Sequence, residues 1–480
     1  MLQMLPIAFQ NALKAQLGDE YTELEHALSQ NTPVSIRFNA KKKASILQTL
    51  LPTQTPVAWY QQSAYLSNRP IFTLDPAFHA GAYYVQEASS MFIGEALRQS
   101  IDTHNSLSII DLCAAPGGKT TLLADTVSDT SLILANEIIK NRFDILKENI
   151  QKWGYPNVHA LRYDTDILKK GLENLFDVVL TDAPCSGEGL FRKDPNAIKE
   201  WSPENVNTCA ARQKRILANA VHLLKAGGIL LYSTCTYNDF ENMDNVAWLT
   251  ETFGLESVRL QLQKDWGIVE KKASIPSGNE AGNITGFGYQ FYPHRVQGEG
   301  FFVSVFKKPM QKKEGQPYKS SKKNNFDFKN LTKLPLKQME IVKNYFDTPD
   351  NFDFYQKTSG QILCFPKAQQ FLLKQIANIL PAHSFGLEIG IFKGNDFIPT
   401  HEFALSTVIS KKLPHLDLNR DQALHFLKKE SPTLDEILKQ GWYLARYEGL
   451  NLGWMKVLNN RINNYLPKEF KIRMSIDANT

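Results

Sequence analysis

Apolar and polar positions recur along this chain in two rhythms, and the places where one gives way to the other mark its parts. Residues 1 to about 30 carry apolar side chains at helical spacing and stop at Gln30-Asn31-Thr32-Pro33, a turn signal. Val34-Ser35-Ile36-Arg37-Phe38-Asn39 then alternates as a half-buried strand does and runs into Lys41-Lys42-Lys43. Helix-like and strand-like pieces continue to about Leu74, so residues 1–105 read as a small helical and α+β module with a basic edge. From 106 to 308 short aliphatic runs alternate with amphipathic stretches, which predicts an α/β unit: a mostly parallel, doubly wound sheet covered by helices on both faces. The strands expected are Leu107–Leu112, Leu132–Asn136, Val158–Tyr163, Phe176–Thr181 and Gly228–Ser233, with a late pair at Phe287–Tyr292 and Gly300–Phe306. Residues 309–330 are rich in Lys, Ser, Asn and Gly and read as an exposed basic linker. Residues 331–480 form a further globular region, with strand-like SGQILCFP and GLEIGIFKG and an aromatic, basic ending.

Composition narrows the class. No apolar run in the 480 residues approaches the roughly 18 that would cross a bilayer, and acids interrupt the first helical stretch where a signal peptide would be continuous. A cytoplasmic protein without a membrane partner is expected. The five cysteines are far apart and odd in number, with no pair at metal-finger spacing, so neither a disulfide scaffold nor a metal site is expected. The formal net charge of +5 permits a polyanionic partner without requiring one.

The segment SIIDLCAAPGGKTTLLAD ends a buried strand at Asp111, turns through small residues at Pro116-Gly117-Gly118 and starts a helix near Lys119-Thr120. Such a loop lets a ligand approach the backbone closely. It is neither GxGxxG nor a P-loop, because Cys113 stands where the first P-loop glycine would be. Acids recur just past the next strands, as Glu137, Asp164 and Asp182. In an open parallel sheet the ligand crevice lies outside the carboxyl ends of the strands, so these four acids face one cleft. Each taken alone could be a helix N-cap. The shared register instead favours a nucleoside-containing ligand, with Glu137 accepting from ribose hydroxyls and Asp164 meeting the adenine or its neighbour.

Two cysteines follow buried strands at the same sheet edge: Cys185 in FDVVLTDAPCSGEGLFRKDP, and Cys235 in GGILLYSTCTYNDFEN, just before a helix expected over Asn238–Phe253. A helix start and nearby basic residues would lower a thiol's pKa and favour the nucleophilic thiolate. Carbon 5 of a pyrimidine becomes nucleophilic only after something adds at carbon 6, which is work for a thiolate. The adduct charges the ring's carbonyl and N3 edge, and Asp182 is the group placed to meet it.

DLCAAPGGKT, TDAPCSGEGLFRKDP, YSTCTYNDFEN, the upstream AGAYYVQEASSMF and the late FYPHRVQGEGFFVSVFKK stand in one order over residues 80–308 and together resemble the NOL1/NOP2/Sun family of RNA 5-methylcytosine methyltransferases. The resemblance implies a Rossmann-like class I methyltransferase domain. It implies that Cys235 attacks carbon 6, that Cys185 assists product release, and that Lys193 lies near the target. It further implies that Cys113, Ala114, Ala115, Pro116, Gly117, Gly118, Lys119, Glu137, Asp164 and Asp182 contact S-adenosylmethionine. The flanks resemble the bacterial small-subunit rRNA methyltransferase branch, with a PUA-like RNA-binding end over about 385–480. The implied partner is therefore RNA, in particular 16S rRNA or the small ribosomal subunit, met by a monomeric enzyme. A tRNA substrate, or a non-catalytic RNA-binding assembly factor, are the alternatives. Because a target base must leave its stack to reach the site, flanking RNA has to be gripped. Lys41–Lys43, Arg192, the linker lysines and Lys456, Arg461, Lys468, Lys471 and Arg473, with Trp454, Tyr465 and Phe470, are candidates for that grip.

Overall fold

Strands whose every residue is buried have helices on both sides of them, and that is how the central part of the chain is built in the computed structural model. It describes residues 5–42, 55–276, 283–310, 328, 330–380, 385–431, 438–459 and 461–476. The strands in chain order are β1 Val34–Phe38, β2 Ser63–Leu66, β3 Tyr83–Val85, β4 Ser108–Asp111, β5 Leu132–Asn136, β6 Val158–Leu161 and β7 Phe176–Asp182. They continue with β8 Leu224–Thr234, β9 Glu256–Ser257, β10 Val269–Pro276, β11 Asn283–Phe291 and β12 Phe301–Lys307. Next come β13 Leu331–Lys333, β14 Phe352–Lys357, β15 Gln361–Pro366, β16 Leu387–Lys393 and β17 Asp396–Pro399, and then β18 His415–Asp417, β19 Gly441–Tyr447, β20 Leu450–Leu458 and β21 Arg461–Asn464.

The central sheet runs β10-β11-β12-β8-β7-β4-β5-β6, with β9 beside β12. Strands β4 to β8 pair in parallel, and β10 to β12 close one edge antiparallel. Alternate side chains go to opposite faces, as the strand period of two requires. Ile109, Val178, Leu180 and Leu231 pack with the helices Phe92–Ser100, Gly118–Thr126 and Lys140–Trp153. Ile110, Val179, Leu230 and Tyr232 pack with Thr165–Gly171, Pro203–Leu223 and Met243–Phe253. The result is the expected Rossmann-like, doubly wound arrangement. Strand order reverses at β4 between β5 and β7, and that is where an open α/β sheet opens a crevice.

The flanks are fastened to this body. Helices Ile7–Leu17 and Tyr21–Leu28 bury Phe9, Leu13, Tyr21 and Leu24 against Phe191, Ile198, Tyr237 and Tyr292, all on segments that follow the two cysteines. The sheet β2-β1-β3 shares one core with the C-terminal sheet β18-β19-β20-β21, through Ile36, Leu66 and Tyr83 on one side and Ala445, Leu452 and Met455 on the other. The antiparallel sheet β13-β14-β15-β16-β17 packs its Phe354, Ile362 and Phe397 with Leu444 and Trp454 of the C-terminal sheet. Its Tyr355, Leu363 and Phe365 join the core of the central unit. GLEIGIFKG, grouped above with the PUA-like end, thus supplies β16 of this middle sheet.

Candidate functional site

Strand β4 delivers Asp111 to the crevice fully buried, with Thr120 Oγ1 donating to its Oδ2 at 2.7 Å and no hydrogen-bond partner on Oδ1. Burial pushes its carboxyl up to about 7. The chain then turns through a cis Ala115–Pro116 bond to Gly117, whose φ of 112° disfavours any side chain, and the helix Gly118–Thr126 begins. A Cβ on Gly118 would stand 3.3 Å from the ring of Tyr84. Asn136 laces the neighbouring strand ends together, donating to Leu112 O at 3.3 Å and Tyr163 O at 2.9 Å and accepting from Tyr163 N at 2.9 Å. Glu137, 3 % exposed, accepts from Ile139 N at 2.9 Å and lies 3.3 Å from Arg142 Nη1. Arg142 in turn donates to Ala115 O at 2.9 Å. Asp164 caps the helix Thr165–Gly171 by accepting from Asp166 N at 2.8 Å, and its other oxygen stands 3.9 Å from Arg215.

The two cysteines meet because β7 and β8 are parallel neighbours in which Asp182 pairs with Ser233. Cys185 Sγ lies 3.0 Å from Cys235 Sγ and accepts from Cys235 N at 3.3 Å. Asp182 stands at the strand end beside them, accepting from Lys119 Nζ and from Ser233 Oγ, each at 2.8 Å. Lys119 therefore joins the loop that follows β4 to the cysteine edge. Burial works against its charge, but Asp182, and further off Cys235 and Asp111, outweigh it and hold its pKa above the usual lysine range.

Two expectations about the thiols are corrected. Cys185 is held well above the ordinary thiol range, first by its hydrogen bond to Cys235, then by burial and by the charges of Cys235 and Glu241. The helix after Cys235 starts only at Met243. Asn238–Asn242 forms a turn whose polar side chains bind loops instead of continuing a helix, so the helix that follows Cys235 does not begin beside the sulfur.

Sequence reasoning passed over Glu188 and Glu241, which the structure buries completely beside the sulfur pair. Glu188, three residues past Cys185, accepts from Thr236 Oγ1, Tyr237 N, Asn238 N, Asn238 Nδ2 and Trp201 Nε1. Glu241, six residues past Cys235, accepts from Ser186 N, Ser186 Oγ, Gln213 Nε2 and Asn238 Nδ2. The available signal was an acid at short spacing after each cysteine.

With this geometry in hand, the comparisons with known proteins become specific. Residues 98–307 match the family described as 16S rRNA methyltransferase RsmB/F. Residues 5–88 match the N-terminal domain of 16S rRNA methyltransferase RsmF, and 413–472 the methyltransferase RsmF PUA domain. The ribosomal RNA small subunit methyltransferase F of Shewanella loihica is 32 % identical over 401 residues, which cover 81 % of this chain and 77 % of that protein. The chain belongs to the RsmB/F family. A second relative, the ribosomal RNA small subunit methyltransferase F of Shigella boydii, is 30 % identical over 457 residues, 91 % of this chain and 89 % of its own. Among solved structures, a methyltransferase homologue from Pyrococcus horikoshii is 26 % identical with a TM-score of 0.51, covering 63 % of this chain and 94 % of that one. NSun6 from the same organism, 21 % identical with a TM-score of 0.50 and covering 64 % and 99 %, shares the fold.

The structure also sorts the cationic and aromatic side chains singled out in the sequence as candidates for gripping RNA. Lys193 is exposed on a groove of about 1180 Å³ between the N-terminal module and the central unit, which Arg69 and Gln297 also line. Arg192 is spent on Glu299 and on Gly298 O at 2.7 Å, with a side chain only 5 % exposed, so it is not a surface grip. Lys42 is likewise committed, donating to Ala80 O at 2.8 Å and Lys152 O at 2.6 Å. Lys41 pairs with Asp129 over the Tyr155 ring, and Lys456 with Asp396. Trp454 is a core residue, not a stacking platform: it is buried and donates to Thr400 O at 2.9 Å. Phe470 packs on His401, ring centroids 4.5 Å apart. Tyr465, Arg461, Lys468, Lys471 and Arg473 are exposed. Lys43 and the linker lysines over 311–327 lie outside the described residues. Among the described residues no helix is long and apolar enough to cross a membrane.

Proposed function

We propose that this chain transfers a methyl group from S-adenosylmethionine to carbon 5 of a cytosine in small-subunit ribosomal RNA, through a bond between Cys235 Sγ and carbon 6 of that base. Membership of the RsmB/F family supports RNA methyl transfer. The observation that carries the finer reading is a pair of thiols 3.0 Å apart, next to Asp182, at the edge where the nucleoside loop also ends.

The residues present fit the methyl donor. An unpartnered buried oxygen on Asp111 and the carboxylate of Glu137 suit a cationic nucleoside. Asp111, Glu137, Asp164, Asp182 and the 113–119 loop would hold it, and when bound it supplies an electrophilic methyl group. The Cys235 thiolate adds to carbon 6, and the electron pair displaced onto the ring gathers near the Lys119–Asp182 pair. Lys119 offers positive charge there, while Asp182 accepts from the exocyclic amino group. Carbon 5, now nucleophilic, takes the methyl group. Cys235 is by then a neutral thioether, so the neighbour that chiefly kept Cys185 protonated has lost its charge. Cys185 can then lose its proton to solvent and, as a thiolate, take the carbon 5 proton. The carbon 5 to carbon 6 double bond re-forms as the sulfur–carbon bond breaks, which returns Cys235 as a thiolate.

On this reading residues 106–308 carry the reaction, and residues 1–105 and 331–480 hold RNA, the last with a PUA-like end. All the named groups come from one copy of the chain. The test uses Cys185→Ala and Cys235→Ala with small-subunit RNA. The first should accumulate a covalent protein–RNA adduct and the second should form neither adduct nor 5-methylcytosine. Methyl transfer that survives Cys235→Ala overturns the mechanism, and an rRNA 5-methylcytosine profile unchanged by deletion of the gene overturns the substrate.

A further inference from the structure

The helix Lys140–Trp153 leaves the carboxyl end of β5 and runs back to the amino end of β6, so its 14 residues carry the chain about 20 Å from the crevice edge. Gly154, just past that helix, therefore lies at the sheet edge opposite the thiols, where its carbonyl accepts from Thr407 N at 2.9 Å. Three parts of the chain meet there: Lys41 and Lys42 after β1, the segment 405–411, and the β19–β20 hairpin. Between them is a cavity of about 320 Å³. Its lining carries four cations, Lys41, Lys42, Lys411 and Arg446, and no aspartate or glutamate.

The neutral side-chain donors of the lining already have acceptors. Ser406 Oγ and Thr407 Oγ1 donate to Gly154 O at 3.1 and 3.2 Å, Ser410 Oγ to Asp347 Oδ1 at 2.8 Å, and Asn451 Nδ2 to Ala404 O at 3.0 Å. The cations are less well matched. Lys41 alone is paired, with Asp129; among the described residues no carboxylate lies within ion-pair distance of Lys42, Lys411 or Arg446. Lys411 is exposed at the rim. Arg446 gives Nη2 to Gly449 O at 3.3 Å, while Asp417, opposite it on β18, lies 3.8 Å from His415 instead. Lys42 meets Ala80 O at 2.8 Å and Lys152 O at 2.6 Å, which leaves one of its three hydrogens without an acceptor. Burial with no acid beside it pushes that amine down to about 7.

A cavity whose free side-chain donors are all positive, with no acid in its wall, is complementary to an anion. No aromatic ring lines it, so it offers no face on which a base could stack. Its volume is that of about ten waters, room for a phosphate group and the sugar carbons beside it. Arg446 also lies within the segment that matches the RsmF PUA domain.

We infer that this cavity takes a backbone phosphate of the substrate RNA and so fastens the RNA at the joint between the N-terminal module and the C-terminal sheet, far from the target base. The inference rests on the RNA substrate proposed above. At about 3.4 Å per nucleotide along one strand of a duplex, 20 Å corresponds to about six nucleotides from the target. The test measures the affinity of the full chain for small-subunit rRNA over a series of salt concentrations. In the double variant Lys411→Ala with Arg446→Gln, affinity falls about tenfold, as for loss of charge-assisted hydrogen bonds. The slope of log affinity against log salt becomes shallower by about 0.7–0.9, the counter-ion release of one phosphate. Lys411→Arg keeps both. On RNA trimmed to a few nucleotides either side of the methylated cytosine, parent and double variant bind alike, which a general loss of folded protein would not allow.

An unaltered salt slope in a folded double variant overturns the inference, and so does an equal loss on the trimmed RNA. Where Arg446→Gln fails to fold, the exposed Lys411→Ala gives the same two readings alone. Inorganic phosphate separates the other source of the anion: if it raises the Tm of the parent but not of the variant while the RNA slope stays the same, the cavity holds free phosphate and the RNA occupant is overturned. Methyl transfer that survives Cys235→Ala would remove the mechanism proposed above and leave these binding measurements as they are.

Discussion

Arg37 carries the sharpest stability prediction. It lies on β1, in the N-terminal module, and its guanidinium is buried against the helix Gly118–Thr126. Nη1 pairs with Asp125 Oδ2, with both side chains fully buried. Nε donates to Gln86 Oε1 at 2.8 Å, Nη2 to Thr121 Oγ1 at 2.5 Å and Gly118 O at 3.3 Å, and the group lies 4.5 Å from the Trp153 ring centroid. Arg37→Met preserves volume but leaves Asp125 buried without its counter-ion, a loss of about 3–5 kcal/mol. At about 2–4 °C per kcal/mol for a domain of this size, the melting transition should fall by about 6–20 °C. Asp125 also accepts from Tyr155 OH at 2.7 Å and Trp153 Nε1 at 3.2 Å, so Asp125→Asn keeps an acceptor for them while removing the charge. The double variant should therefore recover part of the loss, with a coupling of about 1–3 kcal/mol in a double-mutant cycle read by urea unfolding. Burial already raises the Asp125 carboxyl, and Arg37 is the main group opposing that. Without Arg37 the folded state holds a proton that the unfolded chain has released, so the defect should be largest near neutral pH and shrink as pH falls. A single variant within about 1 kcal/mol of the parent, or a double variant no more stable than the single, would refute the reasoning.

Other outcomes follow from buried groups in the central sheet and the C-terminal region. His159 and His401 are depressed by burial to about 4 and about 3, and His159 Nδ1 accepts from Gly386 N at 3.3 Å, as a neutral ring does. Below about 6.5 the unfolded chain takes protons that the folded one refuses, so each ring should remove up to about 1.4 kcal/mol of stability per pH unit as the solution is acidified towards its folded value. His159→Gln should flatten that limb, and an unaltered slope would rule out its contribution. Trp454→Ala should cost about 3–5 kcal/mol by emptying a core position, whereas Tyr465→Ala, at the rim, should cost about 1 kcal/mol or less; equal losses in chemical denaturation would show that the two had been assigned to the wrong environments.

The sheet was legible because β4 to β8 are covered on both faces and so read as largely aliphatic runs, β4 to β7 each with an acid at or just past its end and β8 with Cys235. Strand β10 was missed because Glu270, Lys271 and Lys272 interrupt its apolar pattern at a sheet edge, where charge is tolerated. Cys185 and Cys235 stood out as odd residues in turns. Glu188 and Glu241 did not, because an acid in a polar loop looks solvated until two loops from distant parts of the chain close over it. Trp454 was misjudged and the role of Arg37 passed over for related reasons: their burial is created by partners 54 and 88 positions away, beyond any local window.

The helix Lys140–Trp153, one of those covering the central sheet, ends at Gly154, whose carbonyl accepts from Thr407 N at 2.9 Å, Ser406 Oγ at 3.1 Å and Thr407 Oγ1 at 3.2 Å. A methyl group at Gly154 would press to 2.3 Å from Leu405 O, so the two backbones touch with no room for a side chain between them. Swinging the C-terminal sheets away from the thiols means surrendering all three bonds together and exposing a helix end. The ends of the molecule are therefore set like the jaws of a fixed-gauge spanner, and whatever spans them must bring its own bend.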